Sequence, residues 1–338
     1  MNQQMTKRKP ARGKPDRIAR MLLSMLSVRR NMSRELLQRK LESIVGAPNV
    51  LAGEPMHVHT TFRVGGPADL FVMPSSVEEV KEVLSACDAA GETTYIVGRG
   101  SNLLVADDGL RGVVVQLAGN FAQADVRHDG TVVATAGISN AKVASQALKA
   151  SLTGFEFAAG IPGTIGGAAI MNAGAYDGEF KHVATSVTCL DADRNIIEIT
   201  ADQAKWGYRH SMMMDAGMTV LEVTLKLAEG DPESIRARMD ELAHRRSDKQ
   251  PLDLPSAGST FKRPAGHYAG KLIQDAGLMG YTVGGAQVST KHAGFVVNFD
   301  NATAADIAQV IYDVKARVLS EFGVELEPEV RMWGFDAS

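Results

Sequence analysis

Three polar side chains stand where the local sequence suits proton transfer or charge stabilisation. Ser259, between Gly258 and Thr260, lacks the G-x-S-x-G elbow of an acylating serine, but a serine hydroxyl in a charged site can donate a proton. Arg209 lies in a polar, irregular segment, where a guanidinium group can hold a carboxylate or stabilise an oxyanion. Glu329 lies near an apolar tail, where burial would raise its pKa and let it act as an acid. A turn serine, a surface arginine and a solvent-facing acid are the simpler interpretations, so local sequence alone assigns no catalytic role.

Two glycine-rich segments are candidates for binding an anion such as a pyrophosphate. The Gly160 segment, residues 160–178, alternates glycines with apolar side chains, unlike a flexible Gly/Ser linker. The Gly98 loop, residues 98–102, follows a short apolar strand. Glycines leave N–H groups bare in such loops, and Pro162 fixes the local backbone, so both segments can cradle phosphate oxygens. The alternatives are a tight buried turn for the Gly160 segment and a plain strand-end turn for the Gly98 loop.

The Gly98 loop does not complete a dinucleotide-binding fingerprint. Leu103 stands where G-x-G-x-x-G requires its third glycine, and the sequence that follows is strand-like instead of opening a helix. The polar residues Arg99, Ser101 and Asn102 favour a phosphate-facing loop of another kind.

Composition and spacing exclude several classes of protein. The 338 residues allow two or three domains, and Cys87 and Cys189 cannot form a disulfide framework, which fits a reducing cytosol. No apolar run is long enough to span a membrane, and a formal net charge of −3 gives no reason to expect nucleic-acid binding. His57 and His59 have no third ligand at useful spacing, so we predict no metal site.

Residues 1–30 are predicted to be a basic, disordered extension, because Asp16 is their only acid. The apolar run 21–28 is short for a secretory signal, and Arg29 and Arg30 occupy the place of a small-residue cleavage site. We therefore favour an extension from an early start codon, with Met25 and Met32 as later candidates. Apolar residues at helical spacing predict a short amphipathic helix over 33–44.

The rest of the chain reads as an α+β fold. Ser76 and Glu79 predict a capping box for a helix that extends to about residue 90. Ser139 caps a helix that extends to about residue 151, and Thr303 caps a helix that extends to about residue 322. Strands alternate with these helices, and turn residues 191–195 predict a hairpin. A break near residue 229, followed by a charged helix, predicts a domain boundary.

Taken together, the motifs resemble those of the UDP-N-acetylenolpyruvoylglucosamine reductases (UDP-N-acetylmuramate dehydrogenases) of bacterial cell-wall synthesis. The resemblance covers about residues 50–335 and leaves the N-terminal extension outside. Its motifs are Thr-Phe-Arg-Val-Gly-Gly at 61–66, Gly-Arg-Gly-Ser-Asn-Leu-Leu at 98–104, the stretch 160–176, Tyr-Arg at 208–209, Gly-Ser-Thr-Phe-Lys at 258–262, Gly-Gly-Ala at 284–286 and Glu-Pro-Glu-Val-Arg at 327–331.

The resemblance implies three regions. Residues 1–50 are the extension with its short helix, residues 51–228 an FAD-binding domain of the vanillyl-alcohol-oxidase or p-cresol-methylhydroxylase type in two subdomains, and residues 229–338 an α+β substrate-binding domain. Residues 258–288 leave little room for a tyrosine loop, which indicates the shorter type of the family. Arg263 replaces a common asparagine, so contacts with the uridine diphosphate at that position stay open.

The implied reaction is NADPH-dependent, FAD-mediated reduction of UDP-N-acetylglucosamine enolpyruvate to UDP-N-acetylmuramate, for peptidoglycan synthesis. Hydride passes from NADPH to FAD and, after NADP leaves, from flavin N5 to the vinyl C3, while negative charge builds at C2 and the carboxylate. Arg209 and a protonated Glu329 match the residues that stabilise this charge, and Ser259 matches the residue that protonates C2.

The resemblance also assigns the binding residues. The predicted FAD contacts are Arg63, Gly98, Arg99, Gly100, Ser101, Asn102, Gly160, Ile161, Pro162, Gly163, Gly166 and Gly167. The predicted substrate contacts are Tyr176, Tyr208, Lys262, His292 and Arg331.

Two other functions remain open at this stage. A flavin oxidase of sugars or alcohols would share the fold, and a nucleotide-binding module without catalysis would retain it. If the protein is the reductase, we expect it to be cytoplasmic and monomeric. We expect no nucleic-acid partner and no insertion into a membrane.

Overall fold

The computed structural model describes residues 32–335, so the predicted N-terminal extension lies outside the described residues. The helices of the described part are α1 (32–45), α2 (Val77–Ala90), α3 (Asn140–Lys149), α4 (Ile165–Met171), α5 (Met212–Asp215), α6 (Pro232–Lys249), α7 (Ala269–Asp275) and α8 (Ala304–Phe322). The strands are β1 (Val50–Pro55), β2 (Pro67–Val72), β3 (Thr94–Val97), β4 (Leu103–Val105), β5 (Leu110–Gln116), β6 (Ala124–Val126), β7 (Thr131–Thr135), β8 (Leu152–Thr153), β9 (Gly174–Ala175), β10 (Gly178–Glu179), β11 (Ala184–Leu190), β12 (Ile196–Thr200), β13 (Thr219–Lys226), β14 (Ala228–Glu229), β15 (Thr282–Val283), β16 (Ala286–Val288), β17 (Val296–Asn298) and β18 (Arg331–Trp333).

Two sheets form the larger of two units. The first has the order β1-β2-β5-β3, with β5 parallel to both β2 and β3. The second has the order β12-β11-β13-β7-β6 and is antiparallel throughout, with β11 and β12 joined by the predicted hairpin. As expected, the Gly98 loop connects β3 to another strand, β4, and not to a helix.

Helix α1 packs into the core of this larger unit. Leu37, Leu41 and Val45 are buried in the same apolar cluster as the strands of both sheets. Arg34 Nη2 lies 2.6 Å from the nearly buried carboxylate of Asp69, which fixes the helix to β2. Residues 32–50 therefore belong to the folded body, which we had expected to begin near residue 51.

The helices begin at the capping residues that the sequence predicted, but one capping box differs from the prediction. The Ser76 side chain accepts the Glu79 N–H at 3.1 Å, but the Glu79 carboxylate accepts the N–H of Ser75 at 2.6 Å instead of that of Ser76. The predicted reciprocal box is therefore shifted by one residue. Thr303 and Asp306 form a complete capping box at the start of α8.

The smaller unit packs α7 and α8 against the antiparallel sheet β15-β16-β17. Phe62, Val64 and Leu104 from the larger unit complete its apolar core. β18 returns to the larger unit and pairs in parallel with β4. These contacts hold the two units together next to β4, which directly follows the Gly98 loop.

Helix α6 packs against α3 of the larger unit, and Met239 contacts the core of that unit. We therefore place the boundary of the smaller unit after Lys249 and not near residue 229. None of the helices in residues 32–335 is long and apolar enough to cross a membrane.

Candidate active site

Arg209, Ser259 and Glu329 line one pocket of about 460 Å³ at the junction of the two units. They come from three distant segments: the loop before α5, the loop after α6 and the loop before β18. The structure thus brings together the three side chains for which local sequence alone assigned no catalytic role.

Arg209 and Glu329 form an ion pair in this pocket, with Nε and Oε1 2.6 Å apart. The side chains are 22% and 13% exposed, so water screens the pair only partly. Burial raises the pKa of Glu329, although the nearby Arg209 and Lys262 oppose the shift. Arg209 has a φ of 53°, in the left-handed region that non-glycine residues rarely adopt, so its backbone is locally strained.

The C-terminal half of α4 holds the loop that carries Arg209. Trp206 Nε1 donates to the carbonyl of Ala169 at 2.7 Å, and Ser211 Oγ donates to the carbonyl of Ile170 at 2.8 Å. Asn172, buried and left-handed at the end of α4, donates from Nδ2 to the carbonyl of Gly207 at 2.9 Å. The Gly160 segment therefore reaches the active-site pocket through these hydrogen bonds.

Glu329 is held by its backbone. Its N–H donates to the carbonyl of Thr260 at 2.8 Å, and its carbonyl accepts Nδ2 of Asn102 at 3.0 Å. The N–H of Arg331 then donates to the carbonyl of Asn102 at 3.0 Å. Asn102, a predicted cofactor contact, therefore contacts the acid of the pocket.

Ser259 has an exposed side chain in the pocket, and its hydroxyl forms no hydrogen bond with any residue of the described range 32–335. The next residue is fixed: Thr260 N–H donates to Gly294 O at 2.8 Å, and Thr260 Oγ1 accepts the N–H of Val296 at 3.0 Å. A free hydroxyl on a fixed backbone suits a proton donor that must move toward a carbon atom.

One end of the pocket is basic, with Arg263, Lys271 and Lys291 among its lining residues. Arg263 lies over the ring of Tyr268, 4.3 Å from its centroid, and its N–H donates to the Tyr208 hydroxyl at 3.1 Å. This end can bind a polyanionic group beside an aromatic surface.

His292 also lines the pocket, and its hydrogen bond indicates that the imidazole ring is neutral. Its Nδ1 accepts the N–H of Gly294 at 3.0 Å, which leaves the ring proton on Nε2. Burial lowers the pKa of His292 and thereby favours the same neutral form.

Three of the predicted substrate contacts do not line this pocket. Lys262 Nζ pairs with Glu327 at 2.5 Å. Lys262 does not bond Glu329, and its positive charge acts on that residue only by lowering its pKa. The ring of Tyr176 lies under the guanidinium of Arg245. The Arg331 side chain is exposed and contacts Met214. Of the predicted substrate contacts, Tyr208 and His292 are thus the ones on the pocket wall.

A second, larger cleft of about 950 Å³ lies between the units. Four cationic side chains line it: Arg63, Arg99, Lys142 and Arg246. None of the four forms a salt bridge with any residue of the described range, and Asp253 is the one acid that lines the cleft. A cleft of this charge fits a ligand with phosphate groups.

The Gly98 loop also fits a phosphate group. Within residues 32–335, the backbone N–H groups of residues 99–102 have no hydrogen-bond acceptor, so four successive donors are free. A Cβ on Gly98 would meet Thr164 Oγ1 at 2.5 Å, and a Cβ on Gly100 would meet the carbonyl of His59 at 2.1 Å. The glycines therefore permit close packing of loops, which leaves the amides bare.

The two glycine-rich segments contact each other. Ser101 Oγ donates to the carbonyl of Pro162 at 3.1 Å, so its hydroxyl proton already has an acceptor in the protein. Pro162 lines the larger cleft, and Gly163 has a φ of 122°, which a side chain would not tolerate.

Gly166 and Gly167 differ from the expected phosphate cradle. Both lie in the first turn of α4, where Gly166 N–H donates to Ala136 O at 2.9 Å and Gly167 N–H donates to Thr164 Oγ1 at 3.5 Å. Gly166 is buried, and a Cβ on it would lie 2.7 Å from the Cβ of Ala136. Their amides are therefore used within the protein, in the first turn of a helix and not in a phosphate-binding loop.

Sequence reasoning missed Arg246. It lies near the end of α6, and a Cβ on Gly160 would lie 3.4 Å from its Cδ, so its stem crosses the start of the Gly160 segment on the way into the larger cleft. Burial lowers its pKa. Its position in a run of charged residues gave no sign that it faces inward.

The two histidines considered as metal ligands lie in or after a short 3-10 helix, Met56–Val58, and not on a strand. His59 Nε2 lies 2.8 Å from Glu54 Oε1, and its ring stacks on Phe71. Within residues 32–335, no group of three or more His, Cys, Asp or Glu residues is arranged to hold a metal ion.

Comparison with known proteins agrees with this architecture. A family model described as "FAD binding domain" matches residues 68–200, and one described as "UDP-N-acetylenolpyruvoylglucosamine reductase, C-terminal domain" matches residues 250–333. The fold and its two clefts define an FAD-binding oxidoreductase of the α+β class with a second, C-terminal domain, as predicted.

Relatives of known name extend over most of the chain. A UDP-N-acetylenolpyruvoylglucosamine reductase of Clostridium beijerinckii is 49% identical over 281 residues, which is 83% of this chain and 92% of that protein. One of Alkaliphilus metalliredigens is 46% identical over 304 residues, 90% of this chain and 99% of that one. The crystal structure of the Thermus caldophilus reductase superposes with a TM-score of 0.71 at 34% identity, covering 84% of this chain and 98% of that chain. The chain belongs to the UDP-N-acetylenolpyruvoylglucosamine reductase family.

Proposed function

We propose that this protein reduces the enolpyruvyl group of UDP-N-acetylglucosamine enolpyruvate to give UDP-N-acetylmuramate, with NADPH as reductant and FAD as the bound cofactor. The observation that carries the proposal is the convergence of Arg209, Glu329 and Ser259 in one pocket next to a basic cleft. The pocket supplies a fixed cation, an acid with a raised pKa and a free hydroxyl. These groups can stabilise the negative charge that develops when hydride adds to a polarised double bond, and they can supply the proton that completes the reduction.

The larger cleft is the proposed FAD site. The free amides of the Gly98 loop would donate to the pyrophosphate, with Arg99 and Arg246 as neighbouring cations. Pro162, whose carbonyl accepts the Ser101 hydroxyl, would form the adjoining wall. The chemistry that bound FAD supplies is hydride transfer from NADPH to C3 of the enolpyruvyl group.

The residues of the smaller pocket would act on the substrate itself. Arg209 would hold the substrate carboxylate, and protonated Glu329 would donate a hydrogen bond to the same group as negative charge accumulates. Ser259 Oγ would give its proton to C2, which completes the saturated product. The basic end with Arg263, Lys271 and Lys291 would bind the diphosphate of the sugar nucleotide, which is the role proposed for Arg263 in place of asparagine.

The absorbance of the purified protein distinguishes the proposed reductase from a flavin oxidase and from a non-catalytic binding module. The purified protein is expected to show flavin absorbance, to be bleached by NADPH without oxygen, and to regain its colour on addition of the enolpyruvyl sugar nucleotide. A colourless protein, or a yellow one that NADPH does not bleach, would support a non-catalytic module. Oxygen consumption with simple sugars would support the oxidase. We also propose a cytoplasmic location, since the sugar nucleotide and NADPH are cytoplasmic metabolites.

A further inference from the structure

Asn102 connects the Gly98 loop to the acid of the active-site pocket. Its side-chain Nδ2 donates to the carbonyl of Glu329 at 3.0 Å, and its backbone carbonyl accepts the N–H of Arg331 at 3.0 Å. The two bonds hold residues 329–331 on both sides of the buried Val330. The next residue, Leu103, opens the parallel pairing of β4 with β18.

We propose that the Asn102 side chain is a positioning residue for Glu329, which places the carboxyl group against Arg209, and that it is not a ligand of the cofactor. The inference rests on the proposed function only for the role of Glu329. It differs from the sequence expectation, which grouped Asn102 with the FAD contacts of its loop.

The backbone of Glu329 has few other supports. Its N–H donates to the carbonyl of Thr260, the residue after Ser259, and its carbonyl depends on Asn102. Loss of the Asn102 side-chain bond therefore leaves the carbonyl of Glu329 without this donor, while its N–H stays bonded to Thr260, next to Ser259. A shift of about 1 Å in a catalytic group can slow the chemical step by about 100-fold.

The test compares three variants of one loop. Asn102→Ala removes the side-chain amide, and Asn102→Asp keeps its size but cannot donate to a carbonyl. Ser101→Ala is the comparison from the same loop, because Ser101 Oγ donates to Pro162 O and does not contact Glu329. For each protein, three quantities are measured: the FAD-to-protein ratio from absorbance, the two half-reactions by anaerobic stopped flow, and amide hydrogen exchange of residues 327–333.

For both Asn102 variants we expect FAD content and NADPH-dependent flavin reduction within about twofold of the unmodified protein, with flavin reoxidation by the enolpyruvyl sugar nucleotide slowed about 10- to 100-fold. The amides of Glu329 and Arg331 should exchange faster in the Asn102 variants and be unchanged in Ser101→Ala. A loss of FAD from the Asn102 variants, with normal exchange of residues 327–333, would overturn the inference.

The proposed function can fail separately. If the unmodified flavoprotein is reduced by NADPH but not reoxidised by the enolpyruvyl sugar nucleotide, the substrate assignment is wrong. The hydrogen-exchange comparison and the FAD-to-protein ratio then still decide whether Asn102 positions Glu329, because neither depends on turnover.

Discussion

The Nε atom of Arg209 and the Oε1 atom of Glu329 lie 2.6 Å apart, although 120 residues separate them in the chain. Each partner is held by one of the two glycine-rich segments: Asn172, after α4, supports the loop of Arg209, and Asn102 supports Glu329. The segments that were expected to serve the cofactor thus also hold the two charged residues of the smaller pocket. The proposed cofactor cleft and the proposed substrate pocket are therefore connected through these hydrogen bonds.

Ser259→Ala should separate the two half-reactions. Because the hydroxyl is proposed to protonate C2, the variant should reduce its flavin with NADPH at nearly the normal rate and reoxidise it with substrate about 10²–10⁴-fold more slowly. Stopped-flow traces of the two steps measure this directly. An equal loss in both steps would show that Ser259 serves the fold or the cofactor and not proton transfer. Thr290→Ala, on the smaller unit and outside the pocket lining, is the matched hydroxyl control.

The pH dependence of flavin reoxidation should report the pKa of Glu329. Burial raises this pKa, so the protonated form persists to higher pH than for an ordinary glutamate, and reoxidation should fall as pH rises through the shifted value. Glu329→Gln keeps a neutral donor of the same shape. Because an amide donates a weaker hydrogen bond than a carboxylic acid, it should be slower at low pH, by at most the roughly 10²-fold that loss of a donor costs, and the descending limb should disappear. A limb that survives in Glu329→Gln would belong to another group.

The sequence predicted most of the fold because its signals are local. Ser139 and Thr303 cap the helices expected of them, and the missing third glycine after Gly100 correctly excluded a Rossmann helix. The predicted boundary near residue 229 lies before α6, whereas the contacts of α6 with the larger unit favour a boundary after it. A charged helix gives little sign in the sequence of the surface on which it packs. Which side of that helix faces inward is determined by its packing against α3, a helix that is distant in sequence.

The site was less accessible to sequence reasoning. Tyr176, Lys262 and Arg331 belong to the family motifs, yet each has a partner outside the pocket, because motif membership does not fix the direction of a side chain. The first turn of α4 was also missed, since Gly166 and Gly167 are poor helix formers. Close packing on Ala136 explains the glycine at 166, and only the structure shows that contact.

Arg246→Met should weaken FAD binding. The guanidinium lines the larger cleft without a salt bridge in residues 32–335, so a cofactor phosphate is its proposed partner. Loss of a charge-assisted hydrogen bond costs about 1.5–3 kcal/mol, which is about 10- to 100-fold in Kd. Titration of the deflavinated protein with FAD, followed by flavin fluorescence, measures the change. Arg236→Met, exposed on the same helix, is the control, and an equal loss in both variants would contradict the assignment.

Two N-terminal truncations should differ sharply. Removal of residues 1–30 should leave turnover and thermal stability unchanged, because the core contacts begin within α1. Removal of residues 1–46 also deletes Leu37, Leu41 and Val45, and each fully buried aliphatic side chain contributes about 1.5–3 kcal/mol. The second truncation should therefore unfold at lower temperature or aggregate. A large loss of turnover after the first truncation would place residues 1–30 in the function of the site.

Gly166→Ala and Gly167→Ala, adjacent in the first turn of α4, should have opposite effects on the stability of the deflavinated protein. A Cβ at 166 would lie 2.7 Å from the Cβ of Ala136 and 3.2 Å from its backbone, and overpacking of this kind costs about 1–3 kcal/mol. A Cβ at 167 would have Thr164 Oγ1 at 3.7 Å as its nearest neighbour, so the exposed alanine should be neutral or stabilise the helix by up to about 1 kcal/mol.

Urea denaturation of the two deflavinated variants measures the difference in the free energy of unfolding. The same proteins, titrated with FAD, then test the predicted cofactor contact of Gly167: if its open face lies against the flavin, Gly167→Ala should keep its stability and lose FAD affinity. Equal stability of the two variants would contradict the packing argument at Gly166, since of the two added Cβ atoms only the one at 166 would lie within 4 Å of Ala136. Normal FAD affinity of Gly167→Ala would remove Gly167 from the cofactor site.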